Sequence, residues 1–284
     1  MLTTGSLYSG AGLCDLGLSW AGFKHQFFCE IDPFCRAILA RHWPDTPIYN
    51  DVVRLSGADL PRVDVLCGGF PCQDISSAGN RAGIQNGTRS GLWYEYKRII
   101  GEIRPKYVIA ENVRGLLSLG IETVLQDLAA CGYDAEWEVL SAGACGAPHH
   151  RERVFLVAYP NGVQPCRTRR VLSPLKGVLD GLHQPHGLSH WLGIRFDRQD
   201  RASACKAYPG SVLHRVDDGG AGRVDKPFWA AITRPPKVGC ISKDNARALI
   251  PALRALGNGI VPHQAYAVAA CILLAEGLPV PPRP

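Results

Sequence analysis

Short apolar runs alternate along the first 158 residues with stretches whose apolar positions recur at helical spacing. A short run bounded by polar or glycine residues is typical of a buried strand, and the spaced pattern predicts an amphipathic helix. Regular alternation of the two predicts a mostly parallel sheet with helices on both faces. The predicted strands are 2–8, 26–29, 63–67, 107–110, 136–140 and 154–158, and the predicted helices are 13–21, 35–41, 94–103 and 122–130.

The pattern changes from residue 160 onward, where glycine, proline, arginine and histidine dominate and regular periodicity is lost. This stretch predicts a small irregular region with few strands. Regular periodicity returns near residue 253, and residues 262–276 have the pattern of a helix with proline at its first position. We expect the proline-rich tail at 279–284 to be disordered.

Composition places the chain among ordinary globular proteins, with 284 residues, 46% of them hydrophobic and 20% charged. No apolar stretch approaches the roughly 20 residues of a membrane helix, and the first residues lack a signal-peptide pattern. The eleven cysteines are odd in number and include no Cys-x-x-Cys pair. This argues against a disulfide framework and a metal site, and it predicts a cytoplasmic protein.

The net charge of +6 is unevenly distributed along the chain. Residues 159–226 contain eleven Lys and Arg against six Asp and Glu, a local charge of +5, which leaves +1 for the rest. Charge alone is equally compatible with a solvated surface and with a surface that binds phosphate groups.

Cys72 lies in a setting that favours a nucleophile. It follows the predicted strand 63–67 and a run in which Gly68 and Gly69 permit a sharp turn and Pro71 restricts the backbone. Most cysteines only fill a core. However, the run 107–110 leads to a glutamate, Glu111, and the carboxyl ends of neighbouring strands line the crevice of an open α/β sheet. We therefore expect a thiol and a carboxylate to meet there.

A second candidate site follows the first predicted strand. Gly10 and Gly12 leave room for a ligand near the backbone, and Glu30, after the next strand, is placed to bind ribose hydroxyls. Asp15 replaces the third glycine of the dinucleotide fingerprint, so a pyrophosphate grip is disfavoured. S-adenosylmethionine, which has an adenosine but no phosphate, suits this pattern better than a nicotinamide dinucleotide. A plain tight turn is the alternative.

Seven fragments in order resemble the DNA (cytosine-5)-methyltransferase family of bacterial and phage type, over most of the chain. They are Leu7–Leu13, Glu30–Asp32, Asn50–Val52, Pro71–Gln73, Glu111–Val113, Arg151–Arg153 and Gly257–Pro262. The resemblance implies a doubly wound α/β fold, Rossmann-like and typical of S-adenosylmethionine-dependent methyltransferases. It also implies a catalytic and cofactor-binding domain at 1–159, a small irregular target-recognition region at 160–252, and a segment at 253–284 that returns to the first domain.

The resemblance further implies roles for individual residues. The Cys72 thiolate adds to carbon 6 of cytosine and makes carbon 5 reactive, while Glu111 donates a proton to the ring. Arg151 and Arg153 bind the cytosine oxygen, a phosphate or Glu111. S-adenosylmethionine, which leaves as S-adenosylhomocysteine, is expected to be bound by Tyr8, Ser9, Gly10, Ala11, Gly12, Leu13, Glu30, Ile31, Asp51, Val52, Pro71, Leu92, Asn258 and Gly259.

The implied partner is double-stranded DNA, from which the target base must be flipped because its reactive carbons are inaccessible within the stack. Expected DNA contacts come from Ser76, Arg81, Arg89, Arg195 and Arg198. We expect a monomer, and a cognate restriction endonuclease is compatible with this interpretation. Two features depart from the family pattern: His149 replaces a usual glutamine, and residues 227–252 obscure the penultimate motif.

Two other functions stay open at this point. A transfer-RNA cytosine-5 methyltransferase has the same chemistry, but this chain lacks the Cys-Phe-Thr signature of that branch. A catalytically silent DNA-binding protein is disfavoured because Cys72, Glu111, Arg151 and Arg153 are all present.

Overall fold

A computed structural model describes residues 1–71, 90–147, 150–162, 170–182 and 260–282. Within these ranges, seven strands form a sheet in the order β3-β2-β1-β4-β5-β7-β6. The strands are β1 Thr3–Leu7, β2 Lys24–Cys29, β3 Ile48–Tyr49, β4 Val65–Gly69, β5 Tyr107–Val113, β6 Tyr133–Ser141 and β7 Glu152–Pro160. The helices are α1 Leu13–Trp20, α2 Pro33–His42, α3 Trp93–Ile103, α4 Leu116–Leu119, α5 Ile121–Ala130, α6 Leu175–Leu182 and α7 Pro262–Ala275.

One strand runs against the others. The pairs formed among β1 to β5 are parallel, whereas β7 is antiparallel to both of its neighbours, β5 and β6. The predicted doubly wound, mostly parallel α/β sheet is therefore confirmed. The reversal also places the start of β7 beside the end of β5, so that Arg153 pairs with Val113.

The central strands are apolar on both faces, as a covered parallel sheet requires. In β4, Leu66 belongs to the core shared with α3, while Val65 and Cys67 belong to the core shared with α7. All three side chains are fully buried. On the α3 side, the Tyr96 hydroxyl lies 3.1 Å from the carbonyl oxygen of Leu66 and 2.9 Å from that of Ile109, which ties α3 to two strands.

The last helix, α7, lies directly against α1. A Cβ atom on Gly17 of α1 would lie only 2.1 Å from the carbonyl oxygen of Pro262, so only glycine permits this approach. Nearly every residue of α7 is buried, which explains its apolar sequence. The expectation of a disordered tail is wrong for 279–282, because the Tyr266 hydroxyl donates to the Pro281 carbonyl at 2.6 Å and Val280 packs against the core.

Two further differences from the predicted elements concern length and type. The fifth strand continues through Val113 because its pairing with β7 does, so Glu111 lies within β5 and not beyond its end. Helix α6 occurs in a stretch that was expected to be irregular, and it buries Leu175 and Leu182. None of the helices in the described ranges is long and apolar enough to span a membrane.

Candidate active site

Glu111 and Arg153 form an ion pair at the carboxyl edge of the sheet. The Arg153 Nε lies 2.9 Å from the Glu111 Oε1, and each side chain is about 15% exposed. The pair forms because β5 and β7 are antiparallel neighbours, so that residues near the end of one strand lie beside those at the start of the other. A predicted carboxylate and a predicted arginine are thus brought together.

Burial changes the acidity of Glu111. Desolvation raises the pKa of its carboxyl group to about 7, although the nearby cations Arg153 and Arg151 partly oppose the shift. A carboxyl group with this pKa holds its proton on a large share of molecules near neutral pH. It is therefore suited to donating a proton to a ligand and recovering it, as general acid catalysis requires.

Gly69 provides the space that the Glu111 carboxylate occupies. The two residues are partners in the β4–β5 ladder, and a Cβ atom on Gly69 would lie 2.5 Å from the Glu111 Oε2. Gly68 has a different reason to be glycine, since its Cβ would lie 2.6 Å from the carbonyl oxygen of Leu7. The glycines of this motif therefore do more than permit a turn before Pro71.

Asn112 holds the backbone that leads to Pro71, a function that the sequence interpretation missed. Its side chain is almost fully buried, and its Nδ2 donates to the Phe70 carbonyl at 3.0 Å. Its Oδ1 accepts from the amide of Val113 at 2.9 Å. Phe70 is itself buried against Trp93. A buried amide in an apolar strand was the available signal for this role.

Gln264 of α7, which was also missed, anchors the other arginine of the site. The Gln264 Nε2 donates to the carbonyl of Leu140 at 2.8 Å and to that of Arg151 at 3.1 Å. Arg151 lies just before β7, and its positive charge acts on the Glu111 carboxyl group. The C-terminal helix therefore fixes the backbone at Arg151.

The loop after β1 has the unusual backbone that its glycines suggest. Gly10 and Gly12 have φ angles of +57° and +78°, and Tyr8 also has a positive φ of +55°. Left-handed backbone at a residue other than glycine costs energy and is concentrated at functional sites. The Tyr8 hydroxyl donates to the Leu92 carbonyl at 2.7 Å, so two predicted cofactor residues from distant segments are in contact.

Glu30 connects this loop to the end of β2. Its Oε2 accepts from the amide of Gly10 at 2.7 Å, and its Oε1 accepts from the amide of Asp32 at 2.8 Å. Each carboxylate oxygen has further acceptor capacity. The arrangement therefore leaves Glu30 able to accept hydrogen bonds from the two hydroxyl groups of a ribose.

Apolar side chains are exposed beside Glu30. Ile31 is 73% exposed, and Val53 and Phe34 are exposed at 58% and 37%. Next to them, the Asp51 Oδ1 accepts from the amide of Val53 at 3.0 Å. Exposed apolar groups beside a carboxylate suit the adenine and ribose of an adenosine, so these residues fit S-adenosylmethionine.

Several predicted site residues lie outside the described ranges. They are Cys72, Ser76, Arg81, Arg89, His149, Arg195, Arg198, Asn258 and Gly259. Of the predicted catalytic residues, Glu111, Arg151 and Arg153 are described and lie together. The described residues among the predicted cofactor residues are Tyr8 to Leu13, Glu30, Ile31, Asp51, Val52, Pro71 and Leu92. All but Leu92 follow the ends of β1, β2, β3 or β4, and Leu92 directly precedes α3.

Comparison with known proteins finds a family whose model matches most of the described chain, and relatives of similar sequence. The family model "C-5 cytosine-specific DNA methylase" matches residues 2–177. The type II methyltransferase M2.BsuMI of Bacillus subtilis is 36% identical over 164 residues, which cover 54% of this chain and 41% of that protein. Matches to similar methyltransferases of Fusobacterium nucleatum and Neisseria lactamica have comparable extent, so the chain spans less than half the length of these curated relatives.

Solved structures resemble the chain over nearly its full length. A protein encoded within an E. coli prophage, described as a DNA modification methyltransferase, has a TM-score of 0.62 at 18% identity and covers 98% of this chain and 100% of its own. The S. pombe Dnmt2 methyltransferase has a TM-score of 0.64 at 16% identity, with 96% and 99% covered. At these identities the likeness concerns the fold.

Proposed function

The chain belongs to the C-5 cytosine-specific DNA methylase family, and we propose that it methylates carbon 5 of a flipped cytosine within a short sequence of double-stranded DNA. The observation that supports this proposal most strongly is the position of the Glu111 carboxyl group, whose burial also raises its pKa to about 7. It lies beside Arg153 at the sheet edge, next to the backbone that leads through Pro71 to Cys72.

In the proposed mechanism, the Cys72 thiolate forms a bond to carbon 6 of the cytosine. Glu111 donates its proton at the same stage to ring nitrogen 3, which lies beside the amino group, so the ring gains no net negative charge. Carbon 5 then has the electron density to accept a methyl group, which S-adenosylmethionine supplies when bound. Removal of the carbon 5 proton by a base breaks the bond to sulfur and restores the Cys72 thiolate, while the ring nitrogen returns its proton to Glu111.

Arg153 and Arg151 have distinct tasks in this proposal. Arg153 orients the Glu111 carboxyl group through the 2.9 Å contact, and it limits how far burial raises the pKa. Arg151, whose backbone Gln264 fixes, directs its charge at the same carboxyl group, and its proposed ligand is the cytosine oxygen or a phosphate.

The proposed cofactor contacts come mainly from residues that follow β1, β2 and β3. Glu30 accepts from the ribose hydroxyls, Ile31 packs on the adenine, and Asp51 and Val52 contact the adenine edge. The loop from Tyr8 to Leu13 surrounds the methionine part. Pro71, Leu92, Asn258 and Gly259 complete the proposed pocket.

We further propose the domain organisation 1–159, 160–252 and 253–284, with target recognition in the middle part. The packing of α7 against α1 supports a last segment that returns to the first domain. The local charge of +5 between 159 and 226 supports DNA contact there, with Arg195 and Arg198 as candidates. Ser76, Arg81 and Arg89, in the sequence after Cys72, are further candidates. A monomer, a cytoplasmic location and a cognate endonuclease stay predictions.

Bisulfite sequencing tests the proposed function. DNA and RNA are isolated from methylation-deficient cells that express the chain, with cells expressing a Cys72→Ala variant as control. We expect protected cytosines in one short DNA sequence context, and only with the wild-type chain. Protected cytosines in transfer RNA beside unmodified DNA would instead identify the RNA-modifying alternative.

A further inference from the structure

The segment that carries Asp51 and Val52 lies outside the sheet, although it buries Val52 and Leu55 in the core beside α3. It follows β3, a strand of two residues at the sheet edge, and consists of two short 3₁₀ turns, Val52–Arg54 and Gly57–Asp59. Neither turn pairs with a strand of the sheet, so strand pairing does not fix the position of this segment. The position of its backbone therefore depends on this packing and on hydrogen bonds from another element.

Arg98 of α3 makes those contacts with a single guanidinium group. Its Nη2 donates to the Val52 carbonyl at 3.0 Å, and its Nη1 donates to the Leu55 carbonyl at 2.8 Å. The planar fork of an arginine is suited to binding two acceptors at once, which the single ammonium group of a lysine does not reproduce. One side chain therefore bonds to both ends of the first turn.

Two glutamates of the same helix hold the guanidinium in this orientation. The Arg98 Nε donates to Glu95 at 2.8 Å, and its Nη1 donates to Glu102 at 2.9 Å. Glu102 also reaches the segment directly, since its Oε2 accepts from the amide of Gly57 at 2.6 Å. A Cβ atom on Gly57 would lie 2.5 Å from the Glu102 Cβ, so the second turn lies tightly against α3.

Ion pairs within α3 do not by themselves explain the contacts of Arg98. Glutamates three residues before and four residues after an arginine often form weak ion pairs on a helix surface. Here the Arg98 side chain is only about a third exposed, and its guanidinium group bonds to carbonyl groups 43 and 46 residues away in the sequence. The arginine therefore joins two elements, and the glutamates orient it for that contact.

We propose that Arg98 is a positioning residue for nucleoside binding: it fixes the backbone from Val52 to Leu55 so that Asp51 and Val52 meet the adenine. The inference rests on the proposed function in that the bound nucleoside is the adenosine of S-adenosylmethionine. Arg98 acts through the segment and does not touch the ligand. Its loss therefore weakens binding of every adenosine-containing ligand and leaves the methyl-transfer step unchanged once the cofactor is saturating.

The test compares Arg98→Lys with Arg104→Lys by titration calorimetry, with S-adenosylhomocysteine and with adenosine as probes. Arg104 is a matched control because it caps the far end of α3 and donates to a backbone carbonyl, that of Cys131. We expect Arg98→Lys to raise both dissociation constants about tenfold, as loss of charged hydrogen bonds to carbonyls entails. Arg104→Lys should leave both within about twofold, the range of a change remote from the ligand.

A second measurement separates positioning from a general loss of structure. Amide exchange at 52–57 in the ligand-free protein should accelerate in Arg98→Lys and stay unchanged in Arg104→Lys. With saturating cofactor, the kcat of Arg98→Lys should remain within about twofold of wild type, because the methyl-transfer contacts are intact. Should Arg98→Lys fail to fold, Glu102→Gln, which keeps the shape of the side chain, should weaken binding of both probes in the same direction.

Three results would overturn the inference: unchanged binding in Arg98→Lys, equal weakening in Arg104→Lys, or a clear fall in the kcat of Arg98→Lys at saturating cofactor. Failure of the proposed function is distinguishable from these outcomes. A wild-type chain that binds S-adenosylhomocysteine but modifies no DNA contradicts the proposed function alone, while the calorimetric comparison still decides the role of Arg98. A wild-type chain that binds neither probe contradicts both.

Discussion

Glu30 and Glu111 are the same residue type at the same edge of one sheet, yet their surroundings differ. Both oxygens of Glu30 accept from backbone amides, at 2.7 and 2.8 Å, which holds the side chain in place as a hydrogen-bond acceptor. Glu111 is desolvated, its pKa is raised to about 7, and its described ionic partner is Arg153. In the proposed function, this difference in environment suits Glu30 to cofactor binding and Glu111 to proton transfer.

Replacing Glu111 should have the largest effect. Glu111→Gln keeps the shape of the side chain but has no transferable proton, so kcat should fall by roughly 10²- to 10⁴-fold, the usual contribution of general acid–base catalysis. Binding of S-adenosylhomocysteine should stay within about twofold of wild type, since no cofactor contact is changed. Methyl transfer to DNA and calorimetry measure the two quantities, and an equal loss in both would refute the division of tasks.

A second substitution moves the Glu111 carboxylate without removing it. Gly69→Ala places a methyl carbon only 2.5 Å from the Glu111 Oε2. This distance is too short for two atoms that are not bonded, so the carboxylate must shift. A displacement of about 1 Å at a reacting group can cost roughly 10²-fold in rate. Gly101→Ala in α3 is the matched control because its Cβ meets nothing within 4 Å, and it should retain full activity. Single-turnover rates of the two variants decide the point.

The matching change at Glu30 should affect binding instead of chemistry. Glu30→Gln weakens the hydrogen bonds to the Gly10 and Asp32 amides and to the ribose, so the dissociation constant of S-adenosylhomocysteine should rise about tenfold. At saturating cofactor, kcat should remain within about threefold of wild type. A collapse of kcat with unchanged affinity would contradict the comparison.

The smallest expected effect is on stability as a function of pH. The Glu111 pKa is raised from 4.5 to about 7, so below pH 4.5 the carboxyl group is protonated in both the folded and the unfolded chain. Between these values the unfolded chain ionises first, and folding loses stability as the pH rises. Relative to Glu111→Gln, the wild-type free energy of unfolding should therefore fall by on the order of 1 kcal/mol from pH 5 to pH 8.

Denaturant unfolding of both proteins at the two pH values measures this difference. If the wild-type free energy of unfolding instead rises with pH relative to that of Glu111→Gln, Glu111 is stabilised as a carboxylate in the folded state. That result would remove the basis for its proton-transfer task.

The sheet and the positions of its chemical groups were predictable because they depend on local patterns. Apolar runs before Gly68 and Glu111 predicted adjacent buried strands, and the glycines after β1 predicted a ligand-binding turn. The contacts of Asn112, Gln264 and Arg98 were not predictable in this way. Their acceptors are backbone carbonyls, and Gln264 reaches Leu140 across 124 residues of sequence. Periodicity and spacing do not encode such pairs.

Elements whose identity depends on tertiary contacts were also missed. β3 has two residues and exists only by pairing with β2, so no run of apolar residues marks it. The tail at 279–282 is proline-rich, which favoured the prediction of disorder, yet the Tyr266 hydroxyl holds it to α7. In both cases the partner, and not the segment itself, determines the structure.

The most direct test of the central claim is covalent capture of the target base. Duplex DNA synthesised with 5-fluorocytosine at all cytosine positions is incubated with S-adenosylmethionine and the chain. Fluorine replaces the carbon 5 proton whose removal releases the Cys72 thiolate, so the covalent intermediate persists. We predict a denaturation-resistant protein–DNA adduct with the wild-type chain and with Glu30→Gln at high cofactor, and none with Cys72→Ala. An undiminished adduct in Cys72→Ala, or no adduct in a wild-type chain that binds the cofactor, would contradict the account.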